Sequence, residues 1–190
     1  MISTDDRLSA YLDGRSTTRL MEVSLNEVRE GLMLGQSESD SRPVRALAAC
    51  RAGFPPEMVG RLLDWKEFEL FVAAVLRACG LVVEENVLLK RPRAQIDLVA
   101  SGSSYTLVVD CKHWRRGMGL SALARCADAQ LSRARRLRKN GGDFAPMVAV
   151  ILTLTESGSR FVDGAAVVPV HTLRSFVDSI PEYRDLLELV

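Results

Sequence analysis

The chain has 190 residues, of which 47% are hydrophobic and 26% charged, and its formal net charge is +1. This size and composition allow one substantial core with a small appendage and exclude a fibrous or disordered protein. No run approaches the ~18 consecutive apolar residues of a membrane span, and the N-terminus lacks a signal-peptide pattern, so we expect a cytoplasmic protein without a membrane partner. The four scattered cysteines form no CxxC pair and are expected to be reduced.

The first part of the chain predicts short helices separated by polar residues. Ser24-x-x-Glu27 is a capping-box pattern, and Pro43 suits the first turn of a later helix. The expected helices cover residues 5–12, 24–35 and 43–53. We therefore predict a helical appendage over residues 1–60 and a main domain over residues 61–190.

The strongest helix signal begins at Asp64. Asp64 is a capping residue, Glu67 stands at the reciprocal position, and Gly80 follows the end of the helix. Helical periodicity places Glu69 at the edge of an apolar stripe that is formed by Trp65, Phe68, Val72, Val75, Leu76 and Cys79.

The rest of the chain predicts an α/β fold. Runs rich in Val, Leu and Ile predict strands over residues 81–89, 94–100 and 105–111, with a hairpin turn at 101–104. A long helix over 120–139, a buried strand over 146–154, a shorter strand over 166–170 and a closing helix follow. The core order is α-β-β-β-α-β.

Charge is unevenly distributed along this order. Residues 86–139 contain twelve Lys or Arg and three Asp, a net charge of +9, which leaves −8 for the remainder. A basic segment of this size suits a polyanionic partner, although basic helix faces are also common as solvated surface. Charge alone leaves both interpretations open.

Two acidic residues occupy strand positions where apolar groups are expected. Asp97 lies in one predicted strand and Asp110 in the next, and alternation puts Asp110 and Lys112 on the same face. A carboxylate among Val and Leu must be paired or bound to a cation, because an isolated buried charge costs several kcal/mol. With Glu69 on the adjoining helix, the set predicts an oxygen-rich site for Mg²⁺ or Mn²⁺. The structural alternative is an ordinary Asp110–Lys112 ion pair with Asp97 at a sheet edge.

These residues resemble the PD-(D/E)xK nuclease superfamily, especially Mrr-like restriction endonucleases and archaeal Holliday-junction resolvases. The similar segments are 68–69, 95–100 and 108–114, although Ile96 stands where the named motif has Pro. The resemblance implies a restriction endonuclease-like fold with a central mixed sheet flanked by helices. It also implies divalent metal and hydrolysis of phosphodiester bonds, with Glu69, Asp97, Asp110 and Lys112 as catalytic residues.

Further site residues follow from this resemblance and from the position of basic residues. By analogy with the family, the backbone carbonyl of Cys111 joins Glu69, Asp97 and Asp110 as a metal ligand. Gln130 lies in the apolar arc of the second long helix, where it either supports catalysis or hydrogen-bonds to backbone. The candidate DNA-binding residues are Arg91, Arg93, Gln95, Arg115, Arg116, Arg133 and Arg136.

The expected function is that of a Mg²⁺-dependent DNA endonuclease, acting in restriction or in DNA repair and recombination. The alternatives are a catalytically inactive DNA-binding module that retains the fold and a structure-specific nuclease for junctions or flaps, and RNA remains open as a substrate. Because one site per chain cuts one strand, a homodimer is the expected assembly.

Overall fold

The computed structural model describes residues 41–90, 92–140 and 145–190. The helices expected over 5–12 and 24–35 lie outside these residues. Two 3-10 segments, Val170–Thr172 and Ile180–Leu186, flank the last helix. In chain order the other elements are α1 Arg42–Arg51, α2 Pro56–Gly60, α3 Trp65–Ala78, β1 Val82–Leu89, β2 Ala94–Ser101, β3 Thr106–Lys112, α4 Leu120–Lys139, β4 Met147–Thr153, β5 Phe161–Val162, β6 Ala165–Pro169 and α5 Leu173–Ser179.

The described strands form one six-stranded sheet in the order β1-β2-β3-β4-β6-β5. The first three strands are antiparallel neighbours, β3 and β4 run parallel on either side of the α4 crossover, and β6 is parallel to β4. Strand β4 is buried along its whole length, as expected for a central strand covered on both faces. The predicted α-β-β-β-α-β core with a mixed sheet is therefore confirmed.

Helices cover both faces of this sheet. On one face, α1 and α3 share a cluster with β2, β3 and β4 in which Phe68 and Phe71 are completely buried. On the other face, α4 packs over the strands through residues such as Leu123 and Ala134. The active-site candidates on β2 and β3 thus stand on a sheet that is held from both sides.

The capping pattern at α3 forms as the sequence predicts. The Asp64 carboxylate accepts a hydrogen bond from the Glu67 backbone N–H at 2.8 Å, and Glu67 accepts one from the Asp64 N–H at 2.9 Å. This reciprocal box satisfies two backbone donors that a helix start otherwise leaves without partners. It fixes the start of the helix that carries Glu69.

The predicted apolar stripe of α3 is wrong at its first residue. Trp65 is 58% exposed, whereas Phe71, which the projection left out, is completely buried. Trp65 lies on the exposed side of the first turn of α3, whereas Phe68 in the same turn is completely buried, so the buried face of the helix is narrower there than periodicity predicts. The short strand β5, which pairs antiparallel with β6, was also not predicted.

The described part of the proposed appendage packs onto the main domain. Ala46 and Cys50 of α1 belong to the same buried cluster as Phe68. His113, directly after β3, donates through Nε2 to the Gly60 carbonyl at 2.8 Å. The division at residue 60 stays a prediction. Within the described ranges, no helix is long and apolar enough to cross a membrane.

Candidate active site

The candidate site lies where β2 and β3 separate. Their antiparallel pairing ends at Leu98 and Val109, and the next position in this register sets Asp97 opposite Asp110. Beyond that point the Asp97 carboxylate accepts a hydrogen bond from the Cys111 backbone N–H at 2.8 Å. A side-chain hydrogen bond thus replaces the backbone pairing of the two strands at this point. This separation of β2 and β3, here called the fork, brings the carboxylates of Asp97 and Asp110 together.

Asp110 is held by two cations. Its side chain is 8% exposed, and its oxygens lie 2.7 Å from Lys112 Nζ and 3.4 Å from Arg133 Nη1. Burial alone would lower the pKa of Lys112, but the hydrogen bond and the charge of Asp110 outweigh it, and the pKa is raised. Lys112 is therefore a charged partner of Asp110, as its position on the same strand face predicts.

Glu69 approaches the same cluster from α3. Its pKa is raised to about 7, first by burial and then by the negative charges of Asp97 and Asp110, against which Lys66 and Lys112 act. The pKa of Asp97 is raised too, chiefly by burial, although the Cys111 N–H opposes this. The negative charges of Asp97 and Asp110 therefore disfavour ionisation of Glu69, and the charge of Asp110 disfavours ionisation of Asp97.

The raised pKa of Glu69 predicts a pH-dependent stability in the absence of metal. Because the folded protein binds this proton more tightly than the unfolded chain, the free energy of unfolding should fall as the pH rises from about 4.5 to about 7. In Glu69→Gln this decline should be shallower. Urea unfolding in EDTA across that range measures it, and Glu84→Gln, at an exposed position of β1, is the control. Identical slopes in Glu69→Gln and the parent would contradict the prediction.

Gln130 is completely buried and ties α4 to the site. Its Nε2 donates to the Val108 carbonyl at 2.8 Å, and its Oε1 accepts from Arg133 at 2.9 Å. The backbone hydrogen bond that the sequence left as one alternative is present. Gln130 also reaches Asp110 indirectly, because Arg133 contacts both residues. Its catalytic role stays a prediction.

The donor set has the chemistry of a divalent-cation site. Within the described parts of the chain, no three Asp, Glu, His or Cys side chains are grouped closely enough to hold a metal as they stand. The carboxylates of Glu69, Asp97 and Asp110 nevertheless act electrostatically on one another and are hard oxygen ligands. A divalent cation would reduce this repulsion, so the chemistry of the donors fits such an ion, and binding would draw the carboxylates closer together than they stand here. The Cys111 backbone provides the N–H for Asp97, and its carbonyl as a ligand stays a prediction.

The described DNA-binding candidates lie just before and on β2, in the loop after β3 and on α4. Gln95 donates to the Asn86 side chain at 2.7 Å, close to the exposed Arg93. Arg115 and Arg116 are exposed in the loop after β3. Arg133 is engaged with Asp110 and Gln130, and Arg136 donates to the Pro92 carbonyl. Arg91 lies outside the described residues. All these DNA contacts remain predictions.

The pairing of β1 with β2 is irregular at Asn86 and Asp97. Asn86 lies opposite Asp97 in the β1–β2 register and has a positive φ of 53°. In β2, Ile96 packs under α4 whereas Leu98 packs under α3, although side chains two apart on a regular strand share a face. The regular alternation of side chains along β2 is therefore interrupted at Asp97. The Asp97 carboxylate points toward β3, where it accepts the Cys111 N–H.

Sequence reasoning missed an open pocket next to the acidic residues. The missed lining residues are Trp65, Lys66, Leu70, Glu85, Asn86 and Leu98, which join Glu69 and Asp97. Asn86 was the available signal, because an asparagine within a run of strand-forming residues marks a local irregularity.

Comparison with known proteins tests the resemblance to Mrr-like restriction endonucleases. Residues 61–138 match the restriction endonuclease family model. The predicted resemblance to Mrr-like restriction endonucleases is confirmed over this segment, which contains Glu69, Asp97, Asp110, Lys112 and Gln130. The match supports a restriction endonuclease-like nuclease domain. Domains of this kind act on DNA and usually use divalent metals.

The names of the similar proteins give no activity. An uncharacterized protein of Archaeoglobus fulgidus is 29% identical over 124 residues, which are 64% of this chain and 95% of that protein. The crystal structure of AF1548, a protein of unknown function, matches with a TM-score of 0.40 and 20% identity over 63% of this chain and 61% of its own. The crystal structure of protein VC1899 from Vibrio cholerae matches with a TM-score of 0.37 and 14% identity over 96% and 57% of the two chains. The chain spans less than two thirds of either crystallised chain.

Proposed function

We propose that this protein is a Mg²⁺-dependent DNA endonuclease that hydrolyses phosphodiester bonds in restriction or in DNA repair and recombination. The observation that carries the proposal is the fork between β2 and β3, where Asp97, Asp110, Lys112 and Glu69 act on one another. These residues lie within the segment that matches the restriction endonuclease family. An ordinary surface ion pair would require neither the separated strands nor the raised pKa of a helix carboxylate.

The mechanism assigns a separate task to each group. Glu69, Asp97 and Asp110, with the Cys111 carbonyl, would hold Mg²⁺ or Mn²⁺, which lowers the pKa of bound water and stabilises the charge that develops on the phosphate. Lys112 positions the attacking water and offsets phosphate charge from its place 2.7 Å from Asp110. Gln130 holds Arg133, and Arg133 orients Asp110 from the α4 side.

In this proposal, DNA lies across the end of the sheet where β2 begins and β3 ends. Arg115 and Arg116 contact the backbone on the β3 side, and Arg93 does so on the β1–β2 side. Phosphate contacts of this kind set the position of the nucleic acid without reading its sequence. Cutting both strands of a duplex brings two chains together, so we propose a homodimer as the active assembly.

Cleavage assays with a substrate panel test the proposal. The full chain is incubated with linear, methylated, flapped and four-way DNA and with RNA, in Mg²⁺, Mn²⁺ or EDTA. We expect DNA cleavage with either metal, none in EDTA, and recovery when excess Mg²⁺ is added. Mg²⁺ should also raise the thermal midpoint, because it binds the folded acidic site. DNA binding without cleavage on any substrate would instead identify an inactive DNA-binding module.

A further inference from the structure

The pocket beside the acidic residues has a composition that the hydrolytic reaction does not require. Its lining includes Trp65 and Leu70 together with Glu69, Glu85 and Asp97. Trp65 is 58% exposed and Leu70 is 41% exposed. A ligand with a flat apolar surface would remove the Trp65 ring and the Leu70 side chain from water, which favours binding. The pocket is therefore suited to such a ligand.

The charges of the pocket restrict what that ligand can be. Glu85 is paired with Arg77 at 2.8 Å, and Glu69 and Asp97 are the proposed metal ligands, so cations already compensate the carboxylates of the pocket. Their remaining oxygen lone pairs accept hydrogen bonds from N–H groups at the edge of a ligand. The Lys66 ammonium lies over the Trp65 ring, 5.3 Å from its centre, and both residues line the pocket. A neutral planar group with N–H donors suits the interior, and its attached phosphate suits the lysine.

The pocket wall also contains the irregular part of the sheet. Asn86 lines the pocket in a left-handed backbone conformation, and its Oδ1 accepts a hydrogen bond from Gln95 at 2.7 Å. Asparagine adopts this conformation more readily than other non-glycine residues, because its short polar side chain can hydrogen-bond locally. This local irregularity of β1 forms part of the wall that Asn86 and Asp97 share.

We propose that this pocket binds a nucleobase that has left the base stack, with its ring against Trp65, next to the phosphodiester that is cut. This inference rests on the proposed function and deepens it: the substrate is DNA with an unpaired nucleotide at the cleavage point. Extracting a base from an intact duplex costs free energy, which an already unpaired nucleotide does not require. The pocket thereby selects flapped, branched or single-stranded DNA over a continuous duplex.

The two tryptophans of the chain allow a direct test of stacking. In Trp114→Phe all tryptophan fluorescence comes from Trp65, and in Trp65→Phe it comes from Trp114. With Ca²⁺ in place of Mg²⁺ to suppress cleavage, a single-stranded oligonucleotide should quench Trp65 much more than a hairpin duplex does. Trp114 should not show this difference. Equal quenching of Trp65 by both DNAs, or none by either, would overturn the proposal.

Binding by a Trp65→Ala variant tests the energetic contribution of the ring. The variant should bind forked DNA at least about fivefold more weakly than the parent, since stacking on an aromatic ring commonly contributes this much or more per base. Affinity for continuous duplex should not change, and Trp65→Phe should recover most of the loss. Val82→Ala removes another exposed apolar side chain, from β1 and outside the pocket lining, and serves as the control. An equal loss on fork and duplex, or no loss, would overturn the base pocket.

These measurements separate the two proposals. A parent protein that cuts DNA but shows no dependence on Trp65 would refute the base pocket and leave the nuclease proposal standing. A parent protein that cuts nothing in Mg²⁺ or Mn²⁺, yet binds forked DNA through Trp65, would support the base pocket and refute the nuclease proposal.

Discussion

Asp97→Asn is expected to lower the rate of Mg²⁺-dependent DNA cleavage by at least about a hundredfold. The substitution keeps the size of the side chain and an oxygen that can accept the Cys111 N–H, but it removes the negative charge that would hold the metal. Loss of one group that stabilises transition-state charge commonly costs about 10²–10³ in rate. Single-turnover cleavage, with protein in excess over labelled DNA, measures the change without interference from product release.

Stability and a matched variant separate this effect from misfolding. Burial and the nearby charge of Asp110 raise the pKa of Asp97, so the neutral amide should leave the metal-free thermal midpoint unchanged or slightly higher. Asp128→Asn makes the same chemical change at an exposed position of α4 and should cleave like the parent. Cleavage by Asp97→Asn at the parent rate would remove Asp97 from the active site.

Much of the fold could be predicted because the sequence patterns that indicate it are local. The capping pattern of Asp64 and Glu67 needs only four consecutive residues, and the structure forms both of its hydrogen bonds. The alternation that puts Asp110 and Lys112 on one face is equally local, and the two charges meet at 2.7 Å. Signals of this kind depend on the backbone period and require no knowledge of what lies across the sheet.

The remaining features depend on contacts between distant elements. Whether Trp65 is covered depends on which distant elements pack against the first turn of α3, and helical periodicity does not contain that information. The link from Gln130 through Arg133 to Asp110 joins α4 to β3 across 20 or more residues. Asn86 could be noticed as an unusual strand residue, but its position opposite Asp97 depends on the register of β1 and β2. The sequence therefore supplied candidate residues, whereas pairing across the sheet determined which of them meet.

The pairing of Lys112 with Asp110 makes Lys112→Met a variant with two separable effects. Cleavage should fall by at least about a hundredfold, because the ammonium that positions water and offsets phosphate charge is gone. The metal-free protein should also lose stability, because Asp110 is 8% exposed and keeps only the Arg133 contact at 3.4 Å. Breaking a buried ion pair commonly costs about 3–5 kcal/mol; we expect about 2 kcal/mol here, since one cation remains.

A double-substitution cycle distinguishes the two roles of Lys112. Lys112→Met combined with Asp110→Asn should regain most of the lost stability, because no uncompensated carboxylate remains, but it should not regain cleavage. Lys139→Met removes the same charge at an exposed position at the end of α4 and should change neither property appreciably. Mg²⁺ should stabilise Lys112→Met more than the parent, because the added cation compensates Asp110 in place of the missing ammonium. Full cleavage activity in Lys112→Met would exclude the lysine from the reaction, whereas lost cleavage without lost stability would show that the ion pair contributes nothing to folding.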